Sequence, residues 1–240
     1  MAIVKKIQVE VSKVKKHTDS VCTITMTPLS SVPKFSAGQF LHLAIDPYSP
    51  SMQWPESRVF SIQSSPTRNH KLVVTFAVKG KFTRRLYDEV AVGDQLWVKM
   101  PYGSFTFPQS SFDKVLIAGG TGITPFLSFL TGEVDNKSEQ CVQIFYGIRN
   151  EKLILFDEEL REYKNTLKNF SITYFLETEG ALLTQYELGR LDIDKILTKV
   201  RSLHNSEYFL SGPPQMITKL TEDLFKHNIR QERVIIDAWE

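Results

Sequence analysis

The chain has 240 residues, enough for one large domain or two of ordinary size, and its 42% hydrophobic and 23% charged residues are normal for a globular protein with a buried core. No apolar run approaches the ~20 residues that span a bilayer and the first residues lack the apolar region of a secretory signal, so a cytoplasmic protein without a membrane span is predicted. The net charge of +2 is the sum of +7 over residues 1–110 and −5 over the remainder. The sequence has no long basic stripe and no known nucleic-acid-binding motif, so this charge does not indicate nucleic-acid binding.

The first hundred residues are predicted to form short strands. An early extended segment contains Val9, Val11 and Val14, and turn residues separate the apolar runs that follow it. These runs are Val21–Met26, Phe40–Ile45, Val59–Ile62, Leu72–Val78 and Leu96–Val98. One short helix is expected at about Phe82–Glu89. Such punctuated strands favour an antiparallel β-barrel or sandwich over residues 1–110.

After Pro108, strands and helices are expected to alternate. Strand-like runs lie at Lys114–Ala118, Val142–Tyr146, Ser171–Leu176, Tyr208–Leu210 and Val234–Ile236. Helices are expected from Thr124-Pro125 onwards, at Phe156–Tyr163 and at Pro214–Lys226. This alternation predicts a second domain over residues 111–240, an α/β fold with a doubly wound parallel sheet.

The strongest local motif spans residues 117–125, with the sequence IAGGTGITP. It leaves an apolar strand, passes through three glycines and enters a helix. Backbone without side chains can approach a pyrophosphate closely, and the helix N-terminus offers unpaired N–H groups. The motif is neither G-x-G-x-x-G nor a P-loop, and tight packing between strand and helix is the alternative explanation for its glycines.

Two further motifs, in the barrel half, are suited to phosphate. In Arg58-Val59-Phe60-Ser61 the arginine offers several fixed donors, and a serine shortly after it can bond a cofactor ring. The segment Lys79–Leu86 places Gly80, Thr83 and basic residues where a strand turns into a helix, a possible second anion site. Each is weak alone, because a solvated arginine or an ordinary charged helix start would give the same pattern.

A second junction of strand, glycine and helix occurs at residues 209–217, FLSGPPQMI. Open parallel sheets bind ligands at the carboxyl ends of their strands, so this junction is expected to lie beside the first glycine loop. A rigid turn without a ligand is the simpler alternative.

The four motifs, in this order and at these spacings, resemble the ferredoxin–NADP(H) reductase family across nearly the whole chain. The resemblance implies an FAD-binding barrel over residues 1–110 and a nicotinamide-binding domain over residues 111–240. It also implies an NAD(P)H-dependent flavoprotein reductase, in which hydride passes to FAD and single electrons then pass to a separate acceptor.

The resemblance assigns roles in the barrel. Arg58 would contact the flavin phosphates, Ser61 would lie beside the reactive ring nitrogen, and Phe60, where the family usually has Tyr, would stack on the flavin. Gly80 and Thr83 would hold the diphosphate. FAD is preferred over FMN because the helix start at Gly80–Thr83 suits a second phosphate.

The resemblance also assigns the nicotinamide site. Ser211, where many members carry Cys beside the nicotinamide ring, joins Ser61 as an expected catalytic position, and Trp239 would cover the second face of the flavin or pack in the core. The dinucleotide would be received by Gly119, Gly120, Thr121, Gly122, Thr124, Arg149, Glu177, Gly212 and Pro213. Glu177 and Glu179 follow the third strand and would repel a ribose phosphate, which predicts NADH over NADPH, although Arg149 and Arg190 could partly neutralise them.

The expected electron acceptor is another protein. No metal site is predicted, because Cys22 and Cys141 are too few for an iron–sulfur cluster in this chain and the histidines lack ligand spacing. The basic half would attract an acidic ferredoxin-like or flavodoxin-like carrier. Candidates for that surface are Lys13, Lys15, Lys16, Lys79, Lys81, Arg84 and Arg85. A free flavin or ferric reductase remains the alternative, and a non-catalytic, flavin-loaded subunit or regulator is a second one.

Overall fold

The computed structural model describes residues 3–180 and 186–238 and divides into two compact units. The first unit comprises the residues up to Phe107 together with Thr124–Gly132, and the second comprises Pro108–Ile123 and the residues from Glu133 onwards. Within these described residues, none of the helices combines the length and the hydropathy that crossing a bilayer requires.

A nearly closed antiparallel barrel of six strands forms the first unit. The strands are β1 Lys5–Thr18, β2 Val21–Pro28, β3 Phe40–Ala44, β4 Ser57–Ser61, β5 Leu72–Ala77 and β6 Gln95–Tyr102, with helix α1 Lys81–Glu89 between the last two. Their spatial order is β4-β3-β6-β1-β2-β5. The predicted antiparallel barrel is therefore confirmed.

The barrel core follows from the two-residue period of its strands. In β1 the side chains of Ile7, Val9 and Val11 are buried, whereas the residues between them face outwards. Helix α1 closes the core with Phe82 and Leu86, which lie four residues apart and hence on one helical face.

A parallel sheet of six strands forms the second unit. Its strands are β7 Asp113–Gly119, β8 Val142–Ile148, β9 Phe170–Leu176, β10 Glu187–Leu188, β11 Ser206–Ser211 and β12 Val234–Ile236, in the spatial order β10-β9-β8-β7-β11-β12. The helices that follow strands are α2 Thr124–Asp135, α3 Asp157–Thr166, α4 Ile193–Leu197 and α5 Pro214–Lys226. Strand β10 and helix α4 were not expected, because each is too short to give a periodic pattern.

Helices cover both faces of this sheet. Helices α4 and α5 pack with Phe175 of β9 in one apolar cluster, and the neighbouring Tyr174 points to the opposite face, where its hydroxyl donates to Asp157 of α3. The predicted doubly wound arrangement is thus confirmed.

Helix α2 is the exception, since most of it groups with the barrel. Its Ser128 hydroxyl donates to the Ser64 carbonyl oxygen at 2.9 Å, and its Phe129 ring stacks on Phe107 with centroids 4.5 Å apart. The sequence predicts this helix in the second domain, residues 111–240, because its order along the chain is the only guide. Residues 124–130 are buried all round the helix, so no polar face marks the unit against which it packs.

Candidate functional site

The order in which the chain adds strands to the parallel sheet reverses at β7, which has β8 on one side and β11 on the other. Ala118 of β7 pairs with Tyr146 of β8 and with Ser211 of β11. The glycine loop after β7 and the SGPP turn after β11 therefore leave the sheet side by side, at the position where open parallel sheets bind ligands.

The two turns are packed so closely that only glycine fits between them. A Cβ on Gly122 would lie 2.3 Å from the Ser211 carbonyl oxygen, and one on Gly119 would lie 2.5 Å from the Met216 sulfur. Gly212 has a φ of +155° and also approaches the Gly119 backbone. By contrast, a Cβ on Gly120, with a φ of +55°, would meet no atom within 4 Å. The glycines of the loop thus serve tight packing as well as an open backbone surface, and the two explanations from sequence are compatible.

The glycine loop is also held by Tyr146 of the neighbouring strand β8, a residue to which the sequence pattern assigned no role of its own. Its fully buried hydroxyl donates to the Gly120 carbonyl oxygen at 3.1 Å. Burial raises the pKa of Tyr146 well above its usual range, so the phenol stays protonated and remains a donor. An aromatic residue at the end of a strand is the only sequence signal for this role.

Ser211 makes a hydrogen bond to a residue that was not among those predicted from the sequence. Its buried hydroxyl donates to Oδ2 of Asp237 at 2.9 Å, and the Asp237 backbone N–H donates to the Leu210 carbonyl. Burial raises the pKa of Asp237 to about 6, although the hydrogen bond from Ser211 opposes the shift. A carboxyl group with a raised pKa therefore lies directly after β12, beside the end of β11.

In the barrel, Arg58 lies beside the start of α1. Its guanidinium carbon is 5.2 Å from the centroid of the Phe82 ring, and the exposed side chain also pairs with Glu56 at 2.8 Å. The first N–H groups of any helix lack intrahelical partners, so donors from α1 and from Arg58 occupy one region.

The turn before α1 is held by Thr83. Its hydroxyl accepts from the backbone N–H groups of Lys79 and Gly80 and donates to the Gly80 carbonyl. A Cβ on Gly80 would meet no atom within 4 Å, so the approach to the helix start is open. Arg58 and the open backbone at Gly80 thus offer a positive charge and N–H donors to an anion in one region.

Phe60 and Ser61 are both largely buried. Phe60 is 7% exposed and its ring lies 5.6 Å from that of Phe76 in the barrel core, whereas Ser61 pairs with Phe40 across β3. Any flavin contact by Phe60 would therefore use the small exposed part of its ring.

At the end of β9, Glu177 has a basic partner. Arg190 Nε lies 3.1 Å from Glu177 Oε2, and Arg190 is 84% exposed along its side chain. The backbone N–H groups of Glu177 and Thr178 donate to the carbonyls of Ile148 and Arg149, so the loops after β8 and β9 are adjacent. The exposed Arg149 thus lies near the acidic segment that contains Glu177 and Glu179. From the sequence, Arg149 is a residue that could partly neutralise these two glutamates.

Of the remaining residues, Thr121 follows the paired glycines, Thr124 begins α2 as a buried residue, and Pro213 precedes α5. Trp239 lies outside the described residues. Throughout residues 3–180 and 186–238, histidine, cysteine and carboxylate side chains do not converge as a metal site would require.

Comparison with family models gives two matches that together cover most of the chain. Residues 3–142 match a FAD-binding domain, and residues 116–222 match an oxidoreductase NAD-binding domain. The first match alone includes more than half of the sequence.

Several curated proteins are similar along most of this chain. The flavohemoprotein of Rhizobium meliloti (strain 1021) is 25% identical over 233 residues, covering 91% of this chain and 56% of its own. The propane 2-monooxygenase reductase component of Rhodococcus jostii (strain RHA1) is 26% identical over 248 residues, covering 98% and 64%. This chain therefore spans less than two thirds of either relative. The probable flavin reductase of Aliivibrio fischeri is 26% identical over 219 residues, 86% of each protein.

Solved structures share the two-domain fold. The flavohem-like FAD/NAD-binding domain of nitric oxide dioxygenase from Vibrio cholerae O1 biovar El Tor superposes with a TM-score of 0.85 at 16% identity. The superposition covers 97% of this chain and 98% of that one.

Proposed function

Because the chain belongs to the ferredoxin–NADP(H) reductase family, an FAD- and nicotinamide-dependent group of oxidoreductases, we propose that it takes hydride from NAD(P)H and delivers single electrons to a separate carrier such as ferredoxin or flavodoxin. The observation that carries this proposal is the packing of Gly122 against the Ser211 backbone, which leaves two glycine turns side by side where β7 and β11 end. A dinucleotide binds at such a place through backbone N–H groups.

The flavin site is assigned to the barrel, residues 1–110. Arg58 and the α1 start at Gly80–Thr83 would hold the FAD diphosphate through charge-assisted bonds and backbone donors, while Ser61 and Phe60 would face the ring. FAD rather than FMN is favoured because both Arg58 and a helix N-terminus are available to phosphate. When bound, FAD supplies the conversion of a hydride into two single electrons.

The nicotinamide site is assigned to residues 111–240. Gly119, Gly120, Thr121, Gly122 and Thr124 would hold the pyrophosphate, with Gly212 and Pro213 opposite. Ser211 would position the nicotinamide ring. Asp237 fixes the orientation of the Ser211 hydroxyl by accepting its hydrogen on Oδ2.

NADH is proposed as the preferred coenzyme. The carboxylate of Glu177 at the end of β9 would accept from ribose hydroxyls and repel a ribose phosphate. Its ion pair with Arg190 weakens that repulsion, but an exposed pair of this kind contributes little free energy and is easily rearranged.

The carrier is proposed to be acidic, in line with the +7 balance of residues 1–110. Lys16 and Arg84 lie over the Tyr87 ring at 4.3 and 5.5 Å, so two of the expected basic residues share one region. Arg85 is instead occupied by a two-pronged pair with Asp46 and a bond to Glu89.

The purified protein tests the proposal directly. It is expected to be yellow, to bleach with NADH or NADPH, and to reduce ferredoxin or flavodoxin as well as ferricyanide. Carrier turnover that falls steeply with salt while ferricyanide turnover changes less would support an acidic partner. A protein that bleaches but reduces neither carrier would contradict it.

A free flavin reductase is the second candidate. It is favoured by the probable flavin reductase relative, which this chain matches over an equal share of both lengths. Saturable turnover with free FMN or FAD, at a kcat/KM above that for every protein carrier, would select it.

A further inference from the structure

The outside of the barrel carries an aromatic surface over β3, β6 and the loop before β4. The Tyr48 ring centroid lies 5.3 Å from those of both Trp54 and Trp97. The Tyr48 and Trp97 rings border an open depression of about 460 Å³, at whose rim Leu29 is 48% exposed. We define the aromatic face by its six rings: Phe40, His42, Tyr48, Trp54, Trp97 and Tyr102.

The remaining rings continue the same face. Phe40 stacks on Tyr102 with centroids 5.8 Å apart, and His42 meets the edge of Tyr102 at 4.9 Å. In the register of β3 with β6, His42 pairs with Lys99, and Trp97 lies two residues from Lys99 on the same strand. The two ring clusters are therefore neighbours on one side of the barrel.

The charges on the aromatic face are positive. Lys6 Nζ lies 4.4 Å above the Tyr48 ring and Lys99 Nζ lies 5.4 Å above the Tyr102 ring, and these lysines pair across β1 and β6. Burial and the nearby Lys99 lower the pKa of His42, which leaves its imidazole neutral at pH 7. The side chains that line the depression include no aspartate or glutamate.

The face also adjoins the strand assigned to the flavin. Phe40 is the register partner of Ser61, and the Trp54 indole N–H donates to the hydroxyl of Ser57, the first residue of β4. Neighbouring strands are about 4.8 Å apart, so electrons leaving the region of Ser61 would have a short path to a partner on this face.

We propose that the aromatic face is the docking surface for the one-electron carrier, a protein with acidic groups around an apolar centre. The inference rests on the proposed function, because it takes the one-electron carrier from it and adds where on the barrel that carrier binds. Tyrosine and tryptophan are enriched at the centres of protein interfaces, where they supply most of the binding energy. Lys6 and Lys99 would steer and orient the acidic partner.

The test uses the holoenzyme with two probes, an acidic [2Fe–2S] ferredoxin and a flavodoxin, and with ferricyanide as a small acceptor. Lys6→Glu/Lys99→Glu reverses both cations of the face. Lys164→Glu/Lys168→Glu makes the same change of charge at two exposed lysines of the second unit, which belong neither to the aromatic face nor to the expected basic surface. Leu29→Glu places a charge on the rim, and Val92→Glu, at a site 66% exposed in the turn before β6, is its control.

The face variants are expected to lower kcat/KM for the carrier about tenfold or more, with the control variants within about twofold of the parent. Ferricyanide turnover and flavin bleaching by NADH should be unchanged in all four, which verifies folding. A Lys6/Lys99 variant no worse than the Lys164/Lys168 variant overturns the proposal, as does a Leu29 variant no worse than the Val92 variant. A parent enzyme that reduces ferricyanide but neither carrier contradicts the proposed function itself, before any variant is made.

Discussion

Substitution of Asp237 by asparagine should change how stability depends on pH. Burial raises the pKa of Asp237 to about 6, against 3.8 for the ordinary group. Because the native state holds the proton more tightly than the unfolded chain, stability falls as pH rises from about 4 to about 6 and then stays level. Above that window the difference between the two pKa values lowers the free energy of unfolding by roughly 3 kcal/mol, relative to its value below the window. Asparagine cannot ionise and removes this term.

The Asp237→Asn substitution also introduces a buried amide group, whose cost is of the order of 1–3 kcal/mol if it finds no acceptor. That cost is the same at every pH. The prediction therefore concerns how the difference in free energy of unfolding between variant and parent depends on pH. From pH 4 to pH 8 this difference should shift by about 2–3 kcal/mol in favour of the variant.

The assay is urea unfolding of both proteins at several pH values, followed by a probe in the second unit. Ser211→Ala is a useful companion, since it removes the hydrogen bond that lowers the pKa of Asp237 and should enlarge the pH-dependent term. A gap that is constant from pH 4 to pH 8 would refute the reasoning, because it would mean that Asp237 titrates alike in both states.

The other predictions concern the two cofactor sites. Arg58→Ala should weaken flavin binding about 10- to 100-fold through lost charge-assisted bonds, measured by flavin titration of the apoprotein, and an unchanged affinity would remove Arg58 from the phosphate site. Gly122→Ala should destabilise the second unit by about 1–3 kcal/mol or more in urea unfolding and weaken NADH binding, since its Cβ would meet backbone atoms 2.3 Å away. Gly80→Ala, with no atom within 4 Å of the added carbon, is the control for stability and should cost far less. Glu177→Ser should shift the kcat/KM ratio towards NADPH by about tenfold, whereas Glu179→Ser should shift it less; a parent enzyme that already favours NADPH would contradict the coenzyme assignment.

The strands and the longer helices could be predicted because each carries its own local signal. Alternation in β1 and the glycine-rich junction after β7 are properties of adjacent residues, so the sequence alone indicates them. Their order then specified a barrel followed by a parallel sheet.

Contacts between distant residues could not be predicted in the same way. Ser211 and Asp237 are 26 positions apart and meet only because β12 pairs with β11. Likewise Arg190 reaches Glu177 because β10 lies beside β9, and β10 is a strand of two residues without a periodic signal. Tertiary pairing, rather than local preference, creates these parts of the candidate site.

The membership of α2 in the barrel unit has a consequence for biosynthesis. The chain passes from one unit to the other three times, after Phe107, after Ile123 and after Gly132. A ribosome therefore completes β7, a strand of the second unit, before it has made the helix whose Phe129 stacks on Phe107. The barrel therefore cannot acquire all of its packing from an N-terminal segment that ends at residue 110, and the first unit is complete only when the chain has been made as far as Gly132.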